Sequence, residues 1–510
     1  MSNILVKTSY VMSAYRAASL LALVGSLASA SFLAVVYVTS PLISHSGLEQ
    51  NVIFGIQTLL RGEDLYRDPA YFPFIVTQYT PIFYNLCFAV SRIFGIVFTD
   101  VREIYLVGRM ISAVASFGCC LIIFQMLTRY TALDRKMRFA LAFLFPVMVS
   151  PWSFVARPDP LYIFFIAAGL LTAMLYSEKA RLHTLVASAI FLLAAYYTKQ
   201  SAAFFFPLPF IVGFARHGRR VFRPRDLLIC LTVYGAGVGF MGPTMIANFS
   251  IALSNGIDIP WAFRVVYIPL VLQQAPILLA AVLGYWQGAR AGRWESRAIG
   301  LATLWFMIVG AILAIKWGSN TNYFHEFLMG CVVTIGMVPC FASPVADFKQ
   351  RWTALLVIGL VIVGQVSYAV HNRPRLQSAL TPRDEMYRTG YEFRSDPELS
   401  GQQILVLDFS SLIFIPDRAV LAPIEILGSA AATGHFDLTR LTREIRAGRL
   451  CFAVSDEFML KQLMGTGPNY GAWNARMHGI NAILLADFQV TRSIGSRLVL
   501  TSPSCRAAAR

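Results

Sequence analysis

Charged residues are scarce in this 510-residue chain, where Asp, Glu, Lys and Arg together make up 14%. A typical soluble domain has about 25%. Hydrophobic residues make up 56%, and the mean hydropathy is +0.59. This composition excludes a disordered chain, a coiled coil and a small disulfide-stapled secreted domain. It favours a polytopic membrane protein, in which long apolar runs alternate with short polar segments.

Several chemical signatures are also missing from the sequence. The eight Cys have no spacing typical of a zinc site, and most lie in apolar runs where they are expected to be buried. The chain has no nucleophile elbow and no glycine-rich phosphate loop after a strand. Cys451 and Cys505, in the polar C-terminal part, are candidates for a disulfide, although spacing fixes neither as the other's partner.

The net charge of +16 would suggest nucleic acid as the partner of a soluble protein. In a membrane protein, the basic residues instead indicate which loops are cytoplasmic. Eleven apolar runs are predicted to span the membrane, near residues 18–43, 104–126, 139–156, 160–176, 182–197, 201–215, 227–247, 265–286, 298–315, 327–343 and 353–370. We therefore expect a multi-pass protein of the cytoplasmic (inner) membrane that does not bind nucleic acid.

A twelfth apolar run, 81–98, is ambiguous because it is short and has Ser91 and Arg92 in its middle. If it does not cross, sixteen basic residues fall in five cytoplasmic loops, 128–138, 177–183, 216–226, 288–297 and 345–351. If it crosses, every later loop changes sides and the positive-inside rule fails. The charges therefore predict a juxtamembrane segment within a long first outer loop, 44–103, and an outer C-terminus.

The chain after residue 371 is polar and contains turn signals. Short apolar runs predict strands at 404–407, 451–454 and 482–485, and an amphipathic pattern predicts a helix at 438–447 with Asp437 as its N-cap. The expected fold is an all-α membrane domain of about eleven helices, residues 1–370, followed by a small periplasmic α/β domain, 371–510.

Polar residues next to apolar spans are candidate functional residues, and two outer clusters contain acids. Glu49 follows the first span; it is a candidate general base, or a helix N-terminal carboxylate favoured by the helix dipole. Asp159 lies between two prolines in a tight turn; it is a second functional carboxylate, or an N-cap paired with Arg157.

Two further outer clusters contain cations. Lys199 is a snorkelling anchor or a ligand for a phosphate group. Residues 316–327 contain Lys316, two Asn, His325 and Glu326 close to the next span. A plain structural anchor would not need so many polar side chains there, so we favour a functional site.

These motifs, in this order and on one side, resemble the GT-C superfamily of membrane glycosyltransferases. The similar branch includes lipid A aminoarabinose transferases, protein O-mannosyltransferases and Rgt-type galacturonosyl transferases. The resemblance covers residues 1–370 and depends on Glu49 and on the motifs at 60–69 (LRGEDLYRDP), 79–84 (YTPIFY), 157–161 (RPDPL), 198–200 (TKQ) and 318–326 (GSNTNYFHE).

The resemblance implies transfer of a sugar from a polyprenyl phosphate or diphosphate carrier to a cell-envelope lipid, polysaccharide or protein, with inversion, at the outer membrane face. Glu49 would be the general base, although many relatives have Asp there, and Asp159 the second acid. Some relatives have Lys where Thr80 stands, so a phosphate contact is lost. The implied donor-phosphate ligands are Arg157, Lys199, Lys316 and His325, and the implied substrate contacts are Tyr79, Asn322, Tyr323 and Glu326.

No metal ligand is assigned, because Asp159 has no neighbouring acid in a D-x-D pattern, and a divalent metal cofactor stays an open question. Two other classes of function remain. A transporter or flippase of an envelope precursor would have inverted repeats and charges at the membrane midplane. A non-catalytic assembly protein would tolerate replacement of its outer carboxylates.

Overall fold

The computed structural model describes residues 2–42, 49–218, 223–338, 348–381, 384–463 and 470–508. The start of the predicted first outer loop and parts of the predicted cytoplasmic loops 216–226 and 345–351 lie outside these residues. In chain order the helices are α1 (Ser2–Thr39), α2 (Glu49–Leu60), α3 (Pro81–Ile93), α4 (Val101–Tyr130), α5 (Arg135–Met148), α6 (Asp159–Lys179), α7 (Leu182–Tyr196), α8 (Leu208–His217), α9 (Pro224–Gly239), α10 (Pro243–Leu253), α11 (Ile259–Trp261), α12 (Ile268–Arg290), α13 (Trp294–Ala314), α14 (His325–Ile335), α15 (Phe348–Leu380), α16 (Asp384–Ser395), α17 (Phe409–Leu412), α18 (Ile424–Ala432), α19 (Thr439–Arg446), α20 (Glu457–Leu463), α21 (Tyr470–Asp487) and α22 (Pro503–Ala508).

The chain separates into two compact units. The first consists of Met1–Ser40, Arg109–Phe240 and Asp258–Leu380, and the second of Pro41–Gly108, Met241–Ile257 and Thr381–Arg510. The second unit thus combines most of the C-terminal region with the first outer loop and a short segment that contains α10. α15 continues to Leu380, past the boundary at residue 370 that the sequence suggests.

Long apolar helices identify the protein as an all-α polytopic membrane protein with a C-terminal α/β region. Within the described residues, six helices are long and apolar enough to span a membrane, or seven if α9 and α10 together form one broken span. The six are Ser13–Thr39, Val101–Tyr130, Asp159–Lys179, Ile259–Arg290, Trp294–Ala314 and Trp352–Leu380.

Other predicted spans correspond to shorter helices, among them α5 with 14 residues and α7 with 15. The total of eleven crossings therefore stays a prediction. The ambiguous run 81–98 contains α3, which has 13 residues. At 1.5 Å per residue this helix is about 20 Å long, shorter than a hydrocarbon core of about 30 Å.

Small residues let the helices of the first unit pack closely. A Cβ added at Gly284 of α12 would lie 2.4 Å from the carbonyl oxygen of Thr334 in α14, so only glycine permits this approach. Large apolar side chains such as Leu228, Leu272 and Val282 are exposed on the outer surface of the helices. Such exposure is expected where lipid surrounds the protein.

A five-stranded sheet forms the centre of the second unit. Its strands are β1 (Ile404–Val406), β2 (Ala419–Val420), β3 (Phe452–Asp456), β4 (Gln489–Ile494) and β5 (Arg497–Thr501), in the spatial order β2-β1-β3-β5-β4. β1 pairs in parallel with β2 and β3, whereas β5 is antiparallel to β3 and β4. The strands predicted at 404–407 and 451–454 are thus confirmed as β1 and β3.

The strand predicted at 482–485 is wrong, because these residues lie in the last part of α21. Met477, Ile480 and Leu484 recur at helical spacing and are buried in the same apolar core as Leu427 of α18. The predicted helix at 438–447 is confirmed as α19. The predicted N-cap is wrong by one residue, because α19 begins at Thr439 and its N-cap residue is Leu438. Asp437, just before it, accepts a hydrogen bond from the Thr439 backbone N–H at 2.9 Å.

The first outer loop contributes to the core of the α/β unit. Phe74 and Val76 are buried with Val420 and Leu427, together with Ile251 from the α10 segment. The Val76 N–H donates to the Ala422 carbonyl at 2.9 Å, and the Ala422 N–H donates to the Phe74 carbonyl at 3.1 Å. The 371–510 region therefore shares its core with two earlier parts of the chain.

A disulfide joins Cys451, just before β3, to Cys505 in α22, with the two Cα atoms 5.6 Å apart. The two cysteines are 54 residues apart in sequence, and the loop they close includes β3, α20, α21, β4 and β5. Closing a loop of this length reduces the conformational entropy of the unfolded chain.

We expect Cys451→Ser and Cys505→Ser each to lower the free energy of unfolding by about 2–4 kcal/mol. The double variant should lose no more than either single variant, because both substitutions remove the same bond. Thermal unfolding of the purified protein in detergent, with and without reductant, measures these changes. Additive losses, or an equal effect of reductant on wild type and double variant, would contradict the assignment.

Candidate functional site

Asp159 is the centre of a buried polar cluster in the first unit. It is the first residue of α6, follows the N-cap residue Pro158, and is 1% exposed. Its carboxylate accepts hydrogen bonds from Lys199 Nζ at 2.7 Å, from Asn322 Nδ2 at 2.9 Å and from Arg157 Nε at 3.0 Å. Asp159 is therefore paired with Arg157, as one interpretation of the sequence expects, but it does not cap α6.

Three separate parts of the chain bring these donors to Asp159. Arg157 belongs to the turn just before α6, and Lys199 is the N-cap residue of a short 3₁₀ helix, Gln200–Phe205. Asn322 lies in a second 3₁₀ helix, Thr321–Phe324, just before α14. A Cβ added at Gly310 would lie 2.6 Å from the Tyr323 carbonyl oxygen, so glycine in α13 allows this second helix to pack closely.

Aromatic rings surround the two cations that bind Asp159. The guanidinium of Arg157 lies 4.9 Å from the ring centre of Trp152. Lys199 Nζ lies 4.9 Å from the ring centre of Tyr323 and 5.4 Å from that of Tyr162. Cation–π contacts of this kind stabilise charges that are withdrawn from water.

His325 and Glu326 are the first two residues of α14, and both are buried. The Tyr162 hydroxyl donates a hydrogen bond to Glu326 Oε1, and the other carboxylate oxygen of Glu326 is buried without a partner among the described residues. His325 is 3% exposed, and its ring packs edge-on against Trp152 with 6.3 Å between centres. The cluster thus contains a second carboxyl group, on which the positive charge of Lys199 acts.

Lys316 lies in the turn between α13 and the second 3₁₀ helix and is half-buried. Loss of hydration and, to a smaller extent, the charge of Lys199 lower the pKa of Lys316 to about 8. The turn requires Gly318, whose φ of +77° is unfavourable for other residues. An anion that bound here would compensate the repulsion between the two lysines.

The predicted residues Glu49 and Tyr79 lie in the second unit. Glu49 is the first residue of α2 and is fully buried, which agrees with both interpretations of this carboxylate. Tyr79 is 5% exposed, and its carbonyl oxygen accepts a hydrogen bond from the Tyr66 hydroxyl at 2.9 Å.

Sequence reasoning missed Tyr162 and Trp152, and, in the second unit, Glu425. Tyr162 lies three residues after Asp159 and therefore on the same helix face, which is a signal that could have identified it. Glu425 has no comparable signal, because its partner Asn51 is 374 residues away in the sequence. Trp152 lies five residues before Arg157 in an irregular segment, where no helical or strand spacing relates the two side chains. Across the described ranges, no group of three or more His, Cys, Asp and Glu side chains is placed to hold a metal ion.

The charge pairing around Asp159 predicts a strong energetic coupling. Asp159→Asn leaves two buried cations without their anion and should lower the free energy of unfolding by about 3–5 kcal/mol. Adding Lys199→Met should recover part of this loss, with a coupling energy of about 1–3 kcal/mol in a double-mutant cycle. The measurement is thermal unfolding of the four purified proteins in detergent.

The matched control is the exposed pair Arg129–Glu178, whose atoms are 2.8 Å apart. A cycle with Arg129→Met and Glu178→Gln should give a coupling energy of only about 0.2–1 kcal/mol. Equal coupling energies in the two pairs would show that burial does not strengthen the interaction between Lys199 and Asp159.

Comparison with known proteins gives a likeness of fold. No family model and no curated protein sequence matches the chain. Two solved structures of ArnT from Cupriavidus metallidurans are similar to it. The one bound to undecaprenyl phosphate has a TM-score of 0.60 at 14% identity, covering 93% of this chain and 97% of ArnT. The apo structure has a TM-score of 0.57 at 13% identity, covering 97% and 98%. The chain therefore has the fold of these ArnT structures.

Proposed function

We propose that this protein is a membrane glycosyltransferase that takes a sugar from a polyprenyl-phosphate-linked donor. The acceptor would be a lipid, polysaccharide or protein of the cell envelope, modified at the outer face of the cytoplasmic membrane. The observation that carries the proposal is the buried cluster of Arg157 and Lys199 on Asp159, with Lys316 beside it. Supporting it, ArnT has the same fold and was solved with undecaprenyl phosphate bound.

The cation cluster suits the leaving group of this reaction. The cluster contains three basic side chains, Arg157, Lys199 and Lys316, and two carboxyl groups, Asp159 and Glu326, so the basic groups outnumber the acids by one. This excess of positive charge would bind the donor phosphate and stabilise the negative charge that grows on it as the glycosidic bond breaks. In this arrangement Asp159 and Asn322 position the cations, and His325, Tyr323 and Glu326 line their surroundings.

The proposed reaction is a single displacement. The acceptor hydroxyl oxygen forms a bond to the anomeric carbon while the bond from that carbon to the phosphate oxygen breaks. The electron pair leaves with the polyprenyl phosphate, the hydroxyl proton passes to the carboxylate of Glu49, and the anomeric configuration inverts. Asp159 is the less suitable base, because three donors already occupy its oxygens.

Glu49→Gln should reduce sugar transfer by about 10²–10⁴-fold, because the amide keeps the size of the side chain but cannot take a proton. Transfer is measured with purified protein in detergent, a polyprenyl-linked sugar and extracted envelope acceptors, normalised to folded protein. The choice of detergent excludes transport as the source of product, since no compartments remain.

Glu385→Gln is the matched control, since Glu385 is an exposed carboxylate of the same unit. It should retain wild-type transfer. If Glu49→Gln transfers sugar at the wild-type rate, Glu49 is not the general base. If the wild type shows no transfer and a deletion strain has unchanged envelope glycolipids, the result would favour a flippase or an assembly protein instead.

Binding of the donor should weaken as the pH rises through about 8, because Lys316 then loses its charge. We expect the donor KM of the wild type to increase above pH 8, with a smaller change in kcat. Lys316→Arg should keep a low KM to higher pH, and Lys316→Met should have a high KM throughout. A pH-independent KM in the wild type would show that Lys316 does not contact the donor phosphate.

A further inference from the structure

Asn51 and Glu425 form a buried pair in the second unit. Asn51 is the third residue of α2 and Glu425 the second residue of α18, and the two side chains are 5% and 6% exposed. Asn51 Nδ2 donates a hydrogen bond to Glu425 Oε1 at 2.6 Å. Neither residue has a role in the reaction as proposed above.

Two oxygen atoms of this pair lack a hydrogen atom to share between them. Asn51 Oδ1 and Glu425 Oε2 are both buried acceptors, and neither has a hydrogen-bond partner in the described part of the chain. A buried acceptor without a donor costs about 1–3 kcal/mol. One proton on the carboxyl group of Glu425 would change this, because the resulting O–H is a donor for the neighbouring amide oxygen.

We propose that Glu425 is a positioning residue which, as a neutral carboxylic acid, pairs with Asn51 and holds the start of α2 against the α/β sheet. In the paired form, the Asn51 amide donates to the acid carbonyl and the acid hydroxyl donates to the Asn51 carbonyl. No bond other than these hydrogen bonds forms or breaks. The proposal rests on the proposed function, because the residue that it positions is Glu49.

The helix that carries Glu49 is held by the α/β unit along its length. Gln57 Nε2 donates to the carbonyl oxygens of Ile413 and Phe98, both at 2.8 Å. Phe54 is buried in an apolar cluster with Val406 of β1 and Val454 of β3. The Asn51–Glu425 pair lies in the first turn, two residues from Glu49, so it acts directly on the start of the helix.

The surroundings of Glu425 favour the protonated form. Burial raises the pKa of Glu425 from 4.5 to about 7, and the hydrogen bond from Asn51 opposes this increase only in part. The elements packed against it bring no cation among the described side chains. α18 and α10 contain no other titratable residue, α2 contains Glu49, and α21 contains Asp487, whereas the side chains of Tyr470, Arg476 and His478 in α21 lie outside the described set.

The sign of the pH effect follows from this increase. Between pH 4.5 and about 7 the folded protein keeps a proton that the unfolded chain has released, so stability falls as the pH rises through this window. Above about pH 7 the pair contains a buried carboxylate and an amide oxygen that lacks a donor. The start of α2 should then exchange its backbone hydrogens faster.

Glu425→Gln is the decisive variant, because glutamine supplies the same acceptor and donor as the protonated acid and has no proton to lose. Glu425→Leu removes both hydrogen bonds at every pH. Hydrogen–deuterium exchange of the α2 amides, compared between variants at equal pH from 5.5 to 8.5, reports the pair without any requirement for activity. Protection of α2 should decrease with pH in the wild type relative to Glu425→Gln, and Glu425→Leu should be the least protected throughout.

The rate of sugar transfer distinguishes a positioning role of Glu425 from a role in stability alone. Glu425→Leu should lower kcat at least tenfold with the donor KM within twofold of wild type, and Glu425→Gln should restore kcat and remove its loss above pH 7. Glu385→Gln, an exposed acid of the same unit, should follow the wild type in every measurement.

Each outcome decides one of the two proposals. Equal pH dependence of α2 exchange in wild type and Glu425→Gln would overturn the protonated pair. Altered exchange with wild-type kcat in Glu425→Leu would overturn the positioning role. Altered exchange in proteins that show no transfer, wild type included, would support the pair and overturn the glycosyltransferase.

Discussion

A buried carboxylate in an apolar surrounding must be compensated, and the candidate site of the first unit depends on this requirement at Asp159. Removing a carboxylate from water costs several kcal/mol, which only close donors can offset. Three donors from three separate parts of the chain supply the compensation, and each would itself be costly to bury alone. The chain segments that carry Arg157, Lys199 and Asn322 therefore stay next to Asp159, because the loss of any one of these contacts would leave a buried polar group without its partner.

The same requirement explains the composition of the second unit. Its helix α2 is buried over residues Glu49 to Thr58 although it contains several polar side chains. Gln57 obtains its acceptors from Ile413 and Phe98, and Asn51 obtains one from Glu425. These partners come from the C-terminal region and from the first outer loop. The unit is consequently built from distant chain segments, and its core includes Phe74 and Ile251 beside the sheet residues.

Sequence reasoning predicted the parts of this structure that depend on local pattern. The membrane class, β1, β3 and α19 follow from composition and periodicity, whereas the fold of the membrane domain was implied by the resemblance of its motifs to a known superfamily. The pairing of Arg157 with Asp159 could be predicted because only one residue separates them. The contact of Asn322 with Asp159 joins residues 163 positions apart, and no local pattern encodes it.

The incorrect assignments have equally physical causes. The apolar run at 482–485 is four residues long, so its periodicity cannot separate a strand from one turn of α21. The wider spacing of Met477, Ile480 and Leu484 is helical and decides the structure. Glu425 was not identified because an acid near a helix N-terminus is ordinary. Its burial against Asn51, which makes it unusual, exists only in the folded protein.

This chain and ArnT share a fold at 14% sequence identity, so the reaction that this protein carries out must be argued from particular side chains. Thr80 illustrates the consequence. The resemblance places a lysine at this position in some relatives, whereas here Thr80 is fully buried and precedes α3. If the donor carries a phosphate, its charge must be met by other cations of this chain. Arg157 and Lys199 both contact Asp159, and Lys316 lies in the turn just before the 3₁₀ helix that contains Asn322. Under the proposed function, we therefore expect Arg157, Lys199 and Lys316, rather than position 80, to bind the donor phosphate.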